Sequence, residues 1–117
     1  MNIVLYGIPN CDTVKKSRAW LTGRGIAYRF HDFKKDGVPP DHMDDWIAQA
    51  GWEKLVNRKG TMWRKLDPAT QNNVKDAASA KALMLAQPSV IKRPVVEWDQ
   101  KTTVGFDDGA WALLARR

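Results

Sequence analysis

The first 33 residues constrain the fold most, because they change period twice, in the order strand, loop, helix, strand. Asn2 to Tyr6 is a β-branched and aromatic run with the turn residues Gly7-Ile8-Pro9-Asn10 immediately behind it. From Asp12 to Arg24 the spacing becomes helical: Val14, Ser17 and Leu21 share a face that Trp20 widens, and Gly25 is the expected stop. Ala27 to Phe33 then alternates Tyr28, Phe30 and, less cleanly, Asp32, which predicts a second strand. Two strands joined by a crossover helix run parallel, and the expected connection is right-handed.

After Lys34-Lys35-Asp36-Gly37 the pattern turns to helices alone. Pro39-Pro40 leads into Asp41 to Ala50, where Met43, Trp46, Ile47 and Ala50 recur at helical spacing and Gly51 closes the run. Asp67-Pro68 reads as a cap followed by a first-turn proline. Asp76 caps an alanine-rich helix, Ala77 to Gln87, that Pro88 stops; being apolar nearly all round, this helix is expected to be buried. Pro94 to Trp98 and Thr102 to Phe106 predict a hairpin over Asp99-Gln100-Lys101, and Asp107 or Asp108 caps a closing helix carrying Trp111 and Leu114. The order β-α-β, helical block, β-β-α predicts one α/β domain over residues 1–117. Its core is a four-stranded mixed sheet, with a helical insertion at about 38–91.

Composition removes several functions. With 44% apolar and 27% charged residues the chain is neither disordered nor fibrous. The longest apolar stretch, Ala77 to Ala86, is broken by Lys81 and is well short of the roughly 18 to 20 residues that span a bilayer. No export signal is legible in Met1 to Tyr6, so the expected location is the cytoplasm. The net charge of +6 is uneven: residues 1–36 hold 7 basic against 3 acidic side chains, while 37–91 hold 7 against 6 and 92–117 hold 5 against 4. Lys15, Lys16, Arg18, Arg24 and Arg29 thus fall near Cys11 or on the helix after it, without the aromatic interleaving of a nucleic-acid platform. A field that draws small anionic substrates is the better use of that charge, and nucleic acid is not an expected partner.

Chemistry points to the one cysteine. Cys11 precludes an internal disulfide and suits a reducing compartment. It lies where the first strand passes to the first helix, and a helix N-terminus with Lys15 and Lys16 one turn on favours a thiolate, against the opposing charge of Asp12. A cysteine used only for packing would occupy an apolar periodic position, and Cys11 does not. A thiol acting on an anionic substrate also needs fixed cations. Arg58, in Asn57-Arg58-Lys59-Gly60, and Arg93, ahead of Pro94, are the candidates by context, with Arg64 a weaker third, although arginines are most often simply solvated. His31 and His42 have no ligand-spaced partners, so no metal site is expected, and there is no nucleotide-binding or nucleophile-elbow motif. The six tryptophans are spread over all the predicted elements, as packing residues would be.

Four segments together resemble a known family: Tyr6-Gly7-Ile8-Pro9-Asn10-Cys11-Asp12-Thr13-Val14-Lys15-Lys16, Phe30-His31-Asp32-Phe33, Asn57-Arg58, and Ile91-Lys92-Arg93-Pro94-Val95-Val96. In order and spacing they resemble the arsenate reductase and Spx (ArsC) family, most closely its YffB-like branch, proposed to hold glutathione-dependent thiol reductases. The resemblance implies a thioredoxin-like fold with a helical insertion and Cys11 as the nucleophile. It implies an anion site holding Arg58 and Arg93 and a cis Pro94 facing the cysteine; Asn10, next to Cys11, is expected to join that site, with Lys15, Lys16 and Arg64 in support. It implies no bound cofactor: glutathione is the co-substrate, with glutathione or glutaredoxin resolving the adduct.

Two departures narrow that implication. Glutaredoxin-linked arsenate reductases of this family carry a histidine four residues before the cysteine and a third arginine late in the chain; the aligned residues here are Gly7 and Phe106. Arsenate is therefore expected to be a poor substrate. Redox-switched Spx regulators carry a second cysteine three residues after the first, where this chain has Val14, so that switch is absent. The alternative from the same resemblance is an Spx-like, non-enzymatic protein that docks on RNA polymerase.

Overall fold

The computed structural model describes residues 2–116. Contacts divide the chain into two compact units, one of residues 1–37 with 93–117 and the other of residues 38–92. The first unit holds four strands, β1 (Ile3–Gly7), β2 (Arg29–Asp32), β3 (Val95–Trp98) and β4 (Lys101–Val104), in the order β2-β1-β3-β4. β1 pairs parallel with β2 and antiparallel with β3, which pairs antiparallel with β4. This is the expected four-stranded mixed sheet of a thioredoxin-like fold.

Alternation decides what each face of the sheet carries. Ile3, Leu5, Val96 and Trp98 point to one face, where they form a core with Val14 and Leu21 of α1 (Asp12–Gly23) and Trp111 of α8 (Asp108–Leu114). α1 presents Val14, Ser17 and Leu21 inward, as its spacing predicts, and the buried Ser17 hydroxyl donates to the Thr13 carbonyl at 2.6 Å. α8 is capped by Asp107, which accepts from the Ala110 N–H. On the opposite face the Tyr6 hydroxyl donates to Glu97 at 2.8 Å.

Burial of Tyr6, reinforced by its hydrogen bond to Glu97 and the charge of that carboxylate, pushes the phenol well above its ordinary value of 10. Below about pH 10 the phenol keeps its proton folded or unfolded, so stability does not depend on it. Above that pH the unfolded chain ionises first, and stability falls by about 1.4 kcal/mol per pH unit until the folded phenol ionises too. Tyr6→Phe is expected to lose about 1.4 kcal/mol less than the parent between pH 9 and pH 11. Urea denaturation at the two pH values checks this, and identical alkaline slopes in both proteins would refute it.

The second unit is helical: α3 (Pro40–Ala50), α4 (Trp52–Leu55), α5 (Thr61–Arg64), α6 (Pro68–Asn72), α7 (Ala77–Ala86) and a 3-10 turn over Pro88–Val90. α3 packs on α4 and α7 and contributes Met43 and Trp46 to a core that includes Leu55, Ala80, Met84 and Val90. Lys81 of α7 meets Asp44 of α3 at 2.7 Å. The caps are as expected: Asp67 accepts from Thr70, and Asp76 forms a reciprocal box with Ser79.

Several boundaries differ from the sequence reading. β1 extends to Gly7, and the second strand is only Arg29–Asp32, because Asp32 caps a further helical turn, α2 (Phe33–Asp36), through the Lys34 N–H. The hairpin turns on Asp99 and Gln100 alone, with Asp99 in the left-handed region at φ 57°; Lys101 is already in β4, and Phe106 lies beyond it. Pro94 has no N–H for the ladder, so β3 starts at Val95. α7 is not buried all round: only Ala80 and Met84 are buried, and Ala77, Ala78, Ala82, Leu85 and Ala86 are exposed. Alanine reads as apolar but removes little area from water, so a single packed face satisfies this helix. Among the described residues no helix is long and apolar enough to cross a membrane.

Candidate functional site

Cys11 sits between the end of β1 and the first turn of α1. Its backbone is extended, with φ −129° and ψ 124°, and its carbonyl accepts the first helical bond from the Lys15 N–H at 2.9 Å. Its side chain makes no capping hydrogen bond, so the first-turn N–H groups are not answered by their own cap residue. Those N–H groups and the helix dipole favour an anionic group at this place. The thiol is half-buried against the edge of the β1–α1–α8 core, while Asn10, Asp12, Lys15 and Lys16 are exposed around it. Arg18 and Arg24 lie against aromatic partners: Arg18 donates to the Tyr28 hydroxyl at 2.9 Å and lies 4.1 Å from the Phe30 ring centre, and Arg24 stacks on Trp20 at 4.3 Å.

The turn before Cys11 is closed by packing. A Cβ on Gly7 would stand 2.8 Å from Val14 Cγ2, closer than non-bonded carbons approach, and Val14 is fully buried. The end of β1 therefore lies directly under the first turn of α1, and a side chain at position 7 would have to displace Val14.

β3 runs antiparallel to β1, so its start lies at the end of the sheet where β1 finishes. Tyr6 is paired with Val95, and one further step of that register sets Pro94 beside Gly7. Cys11 and the Arg93-Pro94 pair accordingly share one end of the sheet. The Arg93–Pro94 peptide bond is cis, Pro94 is buried with its carbonyl accepting the Gly105 N–H at 2.8 Å, and Arg93 is half-buried. Phe106 belongs to an aromatic cluster, edge-on to Trp111 at 4.8 Å and to Trp20 at 6.4 Å. That position supplies packing and no guanidinium. A groove lined by Asn2, Val4, Glu97 and the hairpin residues 98–101 lies at the opposite end of the strands, away from the cysteine.

Arg58 and Arg64 belong to the second unit. Val56 and Ile91 form an antiparallel bridge flanked by bonds from the Asn57 N–H to the Val90 carbonyl at 2.8 Å and from the Lys92 N–H to the Leu55 carbonyl at 2.7 Å. These bonds pin the start of the Asn57-Arg58-Lys59-Gly60 loop to the segment Val90-Ile91-Lys92 of the same unit. The exposed Arg58 guanidinium lies over Trp52, 5.1 Å from the ring centre. Arg64 turns back on the loop, its Nη2 donating to the Lys59 carbonyl at 2.6 Å. Sequence reasoning missed two of these features, the seat of Val14 over Gly7 and the ring beneath Arg58. A glycine ending a strand was the only local sign of the first, and no local sign marked the second.

Comparison with known proteins places these features in a family context. The model of the ArsC family matches residues 6–113. A solved structure named YFFB protein is 50% identical, covers 97% of this chain and 98% of its own, and superposes with a TM-score of 0.92. An arsenate reductase (ArsC) related protein from Brucella melitensis is 49% identical over 100% of this chain and 97% of its own, with a TM-score of 0.76. An uncharacterised protein of Haemophilus influenzae is 39% identical over 91% of this chain and 92% of its own length. The global transcriptional regulator Spx of Streptococcus pyogenes is more distant, at 23% identity over 97% of this chain and 86% of its own.

Proposed function

Since the chain belongs to the ArsC family and is 49% identical to a protein described as arsenate reductase (ArsC) related, we propose that it is a thiol reductase working through the single thiol of Cys11. The observation that carries this reading is the position of Cys11: an uncapped helix N-terminus, half-buried, at the sheet end shared with Arg93 and Pro94. Cys11 thiolate attacks one sulfur of a disulfide RS–SR′, forming a Cys11–SR mixed disulfide and expelling R′S⁻, which takes up a proton. Glutathione then attacks the R sulfur, freeing Cys11 thiolate and giving RS–SG. A second glutathione converts this to RSH and glutathione disulfide, so two glutathiones supply the two electrons. Glutaredoxin can take the resolving step by the same exchange, and no bound cofactor is needed.

In this reading Arg93 and Arg58 pair with the carboxylates of the glutathionyl group or with an anionic substrate, Asn10 and the main chain beside Pro94 meet its peptide part, and Arg64, Lys15 and Lys16 support the site. The cytoplasm, kept reducing by glutathione, is the fitting compartment. Arsenate is poorly served, because Phe106 offers no third guanidinium and position 7 is closed by Val14. The expected result is steady turnover of a glutathionyl mixed disulfide with glutathione, and arsenate turnover below that of an arsenate reductase with the third arginine by a factor of about 10 or more, the worth of one charge-assisted hydrogen bond. Measured rates on both substrates check this. If Cys11 exchanges with glutathione disulfide no faster than a cysteine in an unstructured peptide, the reductase reading fails. The RNA polymerase reading draws less support, since the Spx relatives are distant, at 23% identity.

A further inference from the structure

We propose that Trp52 is a positioning residue for Arg58, holding its guanidinium over the indole on a loop that Arg64 braces, so that a preset cation awaits an anionic thiol ligand. The inference rests on the reductase reading for the identity of that ligand and deepens it by naming what fixes Arg58. The observations are independent of Cys11. Trp52 opens α4 and Arg58 lies past the end of that helix, and the guanidinium carbon is within the roughly 6 Å at which an aromatic face attracts a cation. Arg58 is exposed, and a free arginine samples many rotamers that an anion must freeze on binding. A ring face draws the cation without requiring any of its five N–H donors, so those remain available to a carboxylate or oxyanion.

The loop beneath the side chain is fixed on both sides. At its start the Val56–Ile91 bridge holds Asn57, and after it the Arg64 guanidinium binds the Lys59 carbonyl. Between them a Cβ on Gly60 would come within 2.7 Å of Asn57 Nδ2, so the Asn57 side chain lies across a glycine that leaves it room. Backbone and ring together leave Arg58 few directions to point.

The test uses the full chain with Trp52→Leu and Trp52→Phe, the second retaining a ring face and guarding against a Trp52→Leu protein that fails to fold. Two readouts are needed. The first is the ¹⁵Nε–¹Hε heteronuclear NOE of Arg58 in the protein alone, which reports fast motion of the guanidinium stem and involves no ligand. The second is calorimetric affinity for S-methylglutathione, which carries both carboxylates of glutathione but cannot exchange. The expected result is an ordered Arg58 in the parent, a mobile one in Trp52→Leu and partial order in Trp52→Phe, with S-methylglutathione affinity falling about 2- to 5-fold in Trp52→Leu, the range of an exposed cation–π contact. An Arg58 NOE unchanged in both variants overturns the proposal, and so does a mobile Arg58 that binds S-methylglutathione as tightly as the parent when Arg58→Ala weakens that binding. Arg58→Ala separates the two ideas: if it leaves S-methylglutathione affinity intact while Arg58 order still depends on Trp52, the positioning stands and the glutathione role of Arg58 falls.

Discussion

Replacing Cys11 by serine is expected to abolish thiol exchange, lowering the rate with a glutathionyl mixed disulfide by at least about 10³-fold. A serine hydroxyl is not appreciably ionised at neutral pH and cannot form the mixed disulfide through which exchange proceeds, whereas a thiolate is the attacking species in every step. Position makes the loss complete, because Cys11 is the one thiol in the chain and no resolving cysteine can stand in for it. The fold should survive the change. Cys11 is half-buried at the edge of the core, makes no side-chain capping bond, and differs from serine by one atom, so stability should move by no more than about 1 kcal/mol. Rates measured beside a denaturation curve separate the outcomes. Retained exchange in a folded Cys11→Ser protein would remove Cys11 from the mechanism, and loss of both activity and folding would make its role structural.

How much of this was legible in the sequence follows from how local each cause is. α1 could be read because three inward residues, a stop glycine and a preceding turn all fall within one stretch, and Cys11 could be read with it because its place at the helix start is a fact of the same stretch. The sheet was legible as a set of strands, but its edges moved where a single residue had two local options, as when Asp32 capped a helical turn and ended β2. The four-residue helices α2, α4 and α5 escaped notice because one turn is too short to show a period. α7 differs for another reason: an apolar composition does not by itself require burial, since alanine on a surface costs little. Context singles out Arg58 and Arg93 only weakly among arginines that are most often solvated. Nothing near Arg58 in the sequence announces that Trp52, six positions earlier, lies under it, since that contact depends on how the chain turns between them.

The clearest consequence of a contact that no local pattern shows concerns position 7. Gly7→Ala is expected to destabilise the protein by about 1 to 3 kcal/mol, although Gly7 is not held in the left-handed region and alanine has the higher strand propensity. The cause is overpacking: the added Cβ would come within 2.8 Å of Val14 Cγ2, and Val14 is fully buried in the core cluster that includes Leu5, Leu21 and Trp111. Val14→Ala alone should cost about 2 kcal/mol for the two buried methyl groups it removes. The Gly7→Ala/Val14→Ala pair, however, should be more stable than the sum of the single losses by about 1 to 2 kcal/mol, because each change makes space the other needs. Strict additivity in that cycle, measured by urea denaturation, would show that the two residues do not contend for one volume. Gly7→His should lie at or beyond the upper end of the single-mutant range and be only partly relieved by Val14→Ala, since an imidazole needs more space than the two lost methyls leave. The chemical point follows from the packing. The space over position 7 is filled by a core valine, so any chemistry at Cys11 proceeds without an imidazole from β1, and introducing one there requires rebuilding the seat of α1 on the sheet.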